Sequence, residues 1–168
     1  MNKLLNESLK ITQELGDVIF IGALAVYAHT KKARDSQDID FVIQKSISDE
    51  YMLSKHYYKS MTGKQPWFTP RGIKIDIYAR DIPGVPFGAI VKYSKKFPVG
   101  KKGSIRVIGL EALVVAKHTA QREQDSDDLR NIAKNRLDDI DWKVIQSITG
   151  DEYKTSLIKR DMVFFAKL

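Results

Sequence analysis

Hydrophobic residues recur at helical spacing through residues 4–15, and Gly16 follows where a helix C-cap is expected. This pattern predicts an amphipathic first helix. Residues 17–22 are mainly β-branched and aromatic, which predicts a buried strand, and good helix formers follow in residues 23–31. Gly22 is therefore predicted to lie at a strand-to-helix turn.

Polar and apolar residues alternate in two later segments, residues 38–43 and 72–79, which predicts two more strands. Pro and Gly residues then break the pattern, and residues 95–109 predict a basic hairpin. Helical patterns separated by short polar breaks follow to the end of the chain. The sequence thus predicts an α+β fold, in which a mixed β-sheet packs on helices in a core of residues 1–108. A helical C-terminal region, residues 109–168, is predicted to pack on that core.

Charge and composition narrow the choice of partner. The chain has 28 Lys and Arg against 21 Asp and Glu, a net charge of +7, which favours polyanions such as nucleotides or nucleic acid. Because cysteine is absent, disulfides, zinc-thiolate sites and thiol catalysis are excluded. The most apolar run, residues 18–28, is too short to span a membrane, and residues 1–15 lack a signal-peptide pattern. We therefore expect a cytoplasmic protein with no membrane partner.

Two aspartates, Asp38 and Asp40, interrupt an otherwise apolar strand. Alternate side chains of a strand point to one face, so the two carboxylates lie about 7 Å apart while Ile39 and Phe41 face the core. Such a pair repels itself unless a cation lies nearby, and Mg²⁺ takes oxygen ligands of this kind. Asp76, in the other alternating strand, is a candidate third carboxylate. Alternatively, Asp38 flanks a turn and the other two aspartates simply face solvent.

The turn at Gly22 is a candidate phosphate site. A helix that starts directly after a strand presents backbone N–H groups and the positive end of its dipole. Any tight turn can also use a glycine, so this signal has an ordinary structural explanation.

Together, the glycine turn, the Asp-x-Asp strand and the third acidic strand resemble the nucleotidyltransferase superfamily of the polymerase β type, over residues 18–132. The likeness is closest to its minimal members, which include toxin components of abortive-infection toxin–antitoxin systems. The resemblance implies a nucleotidyltransferase-type sheet and transfer of a nucleotidyl group from an NTP to an acceptor hydroxyl with two Mg²⁺ ions. It assigns catalysis and metal binding to three aspartates, Asp38, Asp40 and Asp76.

The same resemblance assigns nucleotide or phosphate binding to a second set of residues, Gly22, Ala23, Arg34, Ser36 and Lys117. Ala23 stands where the family has a second Gly or Ser, so a hydroxyl contact is lost while the backbone N–H remains. His29, Arg34 and Ser36 precede the acidic pair as in many relatives. Their alternative interpretations are a helix-end histidine, a solvated cation and a turn former.

Lys117 lies in an unusually apolar helical segment, so its ammonium either extends out of the core or reaches an anion. Residues 127–132 resemble the family's Lys-Asp-Leu-x-Asp-Ile segment, in which Asp128 matches the first Asp. Asp127 and Asn131 replace the usual Lys and Asp. The acidic residues 125–128 also fit the N-terminal capping of a helix.

The acceptor is not identified by the sequence. Positive charge suits tRNA or another RNA, a small molecule or protein hydroxyl stays open, and an antitoxin is a candidate partner. The main alternative is a catalytically inactive nucleotide- or RNA-binding module with the same fold, which Ala23 and Asn131 favour. A metal-dependent phosphohydrolase is a third. The basic hairpin either tracks a nucleic-acid backbone or is solvated, and Trp67 and Phe68 either stack on a base or pack in the core.

Overall fold

The computed structural model describes residues 1–60 and 66–168, which form seven β-strands and eight α-helices. The strands are β1 (Val18–Phe20), β2 (Asp38–Ile43), β3 (Tyr58–Lys59), β4 (Trp67–Phe68), β5 (Lys74–Tyr78), β6 (Lys95–Pro98) and β7 (Ser104–Val107). The helices are α1 (Asn2–Leu15), α2 (Gly22–Thr30), α3 (Asp49–Ser54), α4 (Phe87–Tyr93), α5 (Leu110–Ala120), α6 (Glu123–Arg136), α7 (Trp142–Thr149) and α8 (Glu152–Lys167).

The strands form one mixed sheet with the order β3-β4-β5-β2-β1-β7-β6. β2 pairs in parallel with β5, and β1 pairs in parallel with β7, whereas the other neighbouring strands are antiparallel. The register places Asp40 opposite Asp76 and Asp38 opposite Lys74. Two adjacent central strands therefore carry all three aspartates of the sequence pattern.

One hydrophobic core joins the sheet to its helices. Burial alternates at the start of β2, where Ile39 and Phe41 are buried and Asp38 and Asp40 are half-buried. α5 follows β7 after two residues and is buried over most of its length, and α6 packs on both α2 and α5. α5 and the start of α6 thus form one wall of a cavity that β2 and β5 also line.

The predicted α+β architecture is confirmed, including the hairpin of β6 and β7 and the helix-rich C-terminal region. The sequence pattern missed the short elements α3, α4, β3 and β4, because strands of two residues and helices of six or seven show little periodicity. Trp67 is buried, as the core-packing interpretation expects, and Phe68 stacks on Tyr58.

No helix in the described part of the chain combines the length and the apolar character needed to cross a bilayer.

Candidate active site

The three aspartates lie on one face of the sheet. In a parallel pair, residues in register point to the same side, so Asp40 and Asp76 are neighbours and Asp38 lies beside Lys74. Ser36, in the loop before β2, donates its hydroxyl hydrogen to Oδ1 of Asp38 over 2.8 Å. The structure therefore brings together the three carboxylates that the sequence pattern selects.

We define the acidic cluster as Asp38, Asp40 and Asp76. Lys74 lies beside it. Its Nζ is 3.1 Å from Oδ2 of Asp76 and 3.7 Å from Oδ2 of Asp38. The hydrogen bond to Asp76 raises the pKa of the lysine. Lys74 was not a predicted site residue, although its position two residues before Asp76 places it on the same face of the strand.

Asp40 is the most perturbed carboxyl of the cluster. Burial, followed by the charges of Asp38 and Asp76, raises the pKa of Asp40 to about 6, against the opposing effect of Arg122 and Lys117. A carboxyl group with a raised pKa, facing a cavity and flanked by charged side chains, is typical of a functional site.

The Asp40 carboxylate packs against the first residue of α2. Gly22 has a φ of 66°, and a Cβ at this position would collide with Oδ2 of Asp40 and lie 3.2 Å from its Cγ. The backbone N–H of Ile21 donates to the carbonyl of Asp40 over 2.9 Å. Glycine therefore fits here without displacing the carboxylate, and the neighbouring Ala23 is buried.

Replacing Gly22 by alanine is expected to destabilise the fold by about 2–4 kcal/mol and to displace the Asp40 carboxylate, because the new Cβ adds a collision to a strained backbone. Gly150 is a matched control, since it has a φ of 63° and a Cβ added there would meet nothing within 4 Å. Gly150→Ala should lose only about 1–2 kcal/mol. Urea unfolding of both variants measures the difference, and equal losses would contradict the collision.

A cavity of about 350 Å³ opens beside Asp40. Its charged side chains are Asp40, Lys117, Arg122 and Asp125, and Gly22 lies on its wall. The rest of the lining is mostly apolar and consists of Ile21, Tyr78, Ile82, Pro83, Ile108, Leu113, Ala116 and Ala120. The cavity therefore combines acidic groups, two cations and an apolar wall, a composition common in small-molecule sites.

Lys117 reaches this cavity from α5 but is already paired. Its Nζ lies 3.0 Å from Oδ1 of Asp125 and 2.6 Å from Oδ2 of Asp128, and all three side chains are almost fully buried. Arg122 contacts the other oxygen of Asp125 over 2.7 Å. Burial would raise the pKa of Asp125, but hydrogen bonds from Arg122 and Lys117 outweigh it and lower that pKa.

Asp125 and Asp128 have separate structural roles. Asp125 accepts a hydrogen bond from the backbone N–H of Arg122 and so caps the start of α6, as the capping interpretation expects. Asp128 holds Lys117, and Nε of Arg34 lies 3.6 Å from the same Oδ2 atom. Arg34 therefore lies near Asp128 and is not among the residues that line the cavity.

Two further candidates bind backbone groups. Nε2 of His29 is 2.7 Å from the carbonyl of Ile108, and burial lowers the pKa of this histidine. Asn131 donates its side-chain amide to the carbonyl of Lys32 over 2.8 Å. Both contacts join α2 and the loop after it to neighbouring elements, which is a structural function.

Arg122 and Tyr78 line the cavity and were not predicted site residues. Tyr78 ends β5, two residues after Asp76, and burial together with Asp40 and Asp76 raises its pKa. Arg122 stands between α5 and α6. The regular alternation of β5 could have indicated Tyr78, whereas the position of Arg122 depends on the angle between two helices.

The side chains of the acidic cluster are of the type that binds divalent cations. Three carboxylates supply hard oxygen ligands, and the charges of Asp38 and Asp76 disfavour the ionised form of Asp40 until a cation compensates them. Within residues 1–60 and 66–168, no three Asp, Glu or His side chains are yet close enough together to form a metal site. Binding of a metal ion would therefore require side-chain movements.

Comparison with solved structures finds the same fold in two crystal structures from Helicobacter pylori. JHP933 matches with a TM-score of 0.56 and 15% identity, covering 99% of this chain and 90% of that one. A "putative nucleotidyltransferase" matches with a TM-score of 0.56 and 16% identity, covering 99% and 93%. No family model and no curated protein matches the sequence. The chain thus has a nucleotidyltransferase-like fold.

Proposed function

We propose that this protein is a nucleotidyltransferase that transfers a nucleotidyl group from an NTP to an acceptor hydroxyl. The observation that carries the proposal is the position of Asp40. Asp40 is in register with Asp76 on the adjacent strand, and its carboxylate packs against the glycine turn at Gly22. It also lines the same cavity as Lys117 and Arg122. The acidic cluster therefore reaches the cavity through Asp40, and Lys117 and Arg122 supply basic groups for phosphate in the same cavity.

Different residues have different roles in the proposed reaction. Backbone N–H groups at the start of α2 and the cations Lys117 and Arg122 bind the triphosphate. When bound to Asp38, Asp40 and Asp76, Mg²⁺ ions supply charge stabilisation at the α-phosphate and the leaving pyrophosphate. A carboxylate oxygen of Asp76 accepts the proton of the acceptor hydroxyl. The hydroxyl oxygen then forms a bond to the α-phosphorus as the α–β bridging bond breaks.

The apolar wall of the cavity is suited to the nucleoside. Tyr78, Pro83 and Leu113 offer flat or aliphatic surface rather than hydrogen-bonding groups, so the base would be held mainly by packing. RNA, including tRNA, is one candidate acceptor because Lys95, Lys96, Lys101 and Lys102 are exposed on the β6 and β7 hairpin. A small molecule is a second candidate acceptor, and an antitoxin is a candidate protein partner.

A catalytically inactive nucleotide-binding module is the second candidate. It is favoured by the ion pairs that occupy Lys117 and by the contacts of Lys74 with Asp38 and Asp76. Such a protein would bind nucleotide in the cavity without forming pyrophosphate.

Nucleotide binding and product release test the proposal together. Each of the four NTPs is titrated calorimetrically with and without Mg²⁺, and pyrophosphate release is measured with total tRNA as the acceptor probe. We expect Mg²⁺-dependent binding of at least one NTP, and Asp76→Asn should reduce pyrophosphate release by about 100-fold or more. Asp35→Asn, which removes an exposed carboxylate just before β2, is the matched control and should behave like wild type.

Each alternative has its own result. Absence of NTP binding by folded wild-type protein would overturn the proposal. NTP binding that does not depend on Mg²⁺ and is unchanged by Asp76→Asn, without pyrophosphate release, would select the inactive module. Release of inorganic phosphate from the NTP would instead indicate a phosphohydrolase.

A further inference from the structure

Lys74 places an ammonium group among the three aspartates of the acidic cluster. It precedes Asp76 by two residues on β5 and is in register with Asp38 on β2, so the three side chains share one face. The 3.1 Å and 3.7 Å contacts of its Nζ reach carboxylates on two adjacent strands. A single positive charge therefore bridges the two strands at the candidate metal site.

An ammonium ion and a divalent cation compete for these oxygens. A Mg²⁺ ion requires carboxylate oxygens at about 2.1 Å in a regular geometry, and Lys74 already contacts Oδ2 of both Asp38 and Asp76. The two cations would also repel each other strongly at such a short separation. A divalent ion shared by Asp38 and Asp76 therefore competes with Lys74 for their Oδ2 atoms and is repelled by its charge.

We propose that Lys74 is a resident counter-ion of the acidic cluster, which must leave Asp38 and Asp76 before these carboxylates bind a divalent cation. The inference rests on the proposed function, since it takes the same carboxylates as metal ligands. In the metal-free protein the lysine reduces repulsion between β2 and β5. Because Lys74 must first be displaced, a higher concentration of the free divalent cation is needed to occupy the site.

The exposure of Lys74 makes this exchange feasible. Its side chain is 40% exposed, and ion pairs of this kind contribute little to stability, so solvent can take the displaced ammonium. Lys117 differs, because its side chain is 5% exposed and lies between two buried carboxylates. Of these two lysines near the cavity, Lys74 is the one that can be displaced without unfolding the surrounding structure.

Titration of Mn²⁺ into nucleotide-free protein tests the inference by calorimetry. We expect Lys74→Gln to bind Mn²⁺ about tenfold more tightly than wild type, because one competing charge is removed. Lys74→Arg keeps the charge and should bind no more tightly than wild type. Lys59→Gln is the matched control, since it removes a lysine that pairs with Asp49 away from the cluster. This control should leave Mn²⁺ affinity unchanged.

Thermal unfolding gives a second readout. Without metal, Lys74→Gln should melt slightly below wild type, because the carboxylates lose their counter-ion but an exposed ion pair contributes little to stability. Saturating Mn²⁺ should close that gap, since the divalent ion then neutralises the cluster in both proteins.

The outcomes separate this inference from the proposed function. If wild type binds Mn²⁺, Asp40→Asn does not, and Lys74→Gln binds no more tightly than wild type, the metal site stands and the counter-ion inference is overturned. If neither wild type nor Lys74→Gln binds Mn²⁺ without nucleotide, the counter-ion inference is overturned, whereas the proposed function is judged separately by Mg²⁺-dependent NTP binding.

Discussion

Replacing Asp40 by asparagine is expected to reduce activity strongly while making the metal-free protein more stable. Asp40 lies between the glycine turn at Gly22 and the carboxylate of Asp76, so a cation bound there depends on its charge. Loss of one of three carboxylates should reduce nucleotidyl transfer by about 100- to 1000-fold and weaken Mg²⁺-dependent NTP binding.

The gain in stability follows from the raised pKa of Asp40, which is about 6 in the folded protein. A carboxyl group whose pKa is higher in the folded chain stabilises the fold where it is protonated. That contribution is complete below about pH 4 and is lost as the pH rises through about 6. Above this range the ionised carboxylate is unfavourable in its buried, acidic surroundings. Asparagine cannot ionise, so Asp40→Asn should raise the free energy of unfolding by about 1–3 kcal/mol near pH 8.

Urea unfolding in the presence of a chelator measures this effect near pH 8 and near pH 4.5. The stabilisation by Asp40→Asn should be largest at the higher pH and small at the lower one. Asp35→Asn removes the same charge from an exposed position and should change stability by less than about 0.5 kcal/mol at either pH. An Asp40→Asn protein that is less stable than wild type near pH 8 would show that the carboxylate has a structural partner.

Local sequence pattern predicts part of this site because the period of a strand is fixed. Two-residue spacing places Asp38 and Asp40 on one face whatever the rest of the fold does. That Asp76 lies opposite Asp40 depends on the register of two strands that are distant in sequence, which the residues predict only through the family resemblance. The metal and phosphate roles of these residues stay predictions until binding is measured.

The charged residues around the aspartates are less accessible to sequence analysis. Lys74 has the alternation expected of a solvent-facing residue, so nothing in the pattern distinguishes a free lysine from one that bridges two carboxylates. Arg122 follows the last turn of α5, and its approach to the cavity depends on how α6 packs. Lys117 was predicted as a phosphate ligand, but its contacts with Asp125 and Asp128 are tertiary and could not be read from the apolar helix pattern.

Replacing Lys117 by methionine is expected to destabilise the protein by about 3–5 kcal/mol, because Asp128 then keeps, among the described residues, only the distant Arg34 as a cationic partner. The melting temperature should fall by about 10 °C for a chain of this size. Lys134→Met, which removes an exposed lysine from α6, is the matched control and should have little effect. A loss below about 1 kcal/mol for Lys117→Met would show that the ammonium does not hold this network together.

A double variant separates the structural role of Lys117 from its proposed role in phosphate binding. Lys117→Met/Asp128→Asn removes a buried charge of each sign, so it should recover much of the stability lost in the single variant, while Asp125 keeps its contact with Arg122. If the recovered protein binds Mg²⁺-NTP about tenfold or more weakly than wild type, the ammonium contacts the triphosphate. If its affinity equals that of wild type, Lys117 only stabilises the cavity wall and Arg122 is the phosphate-binding cation.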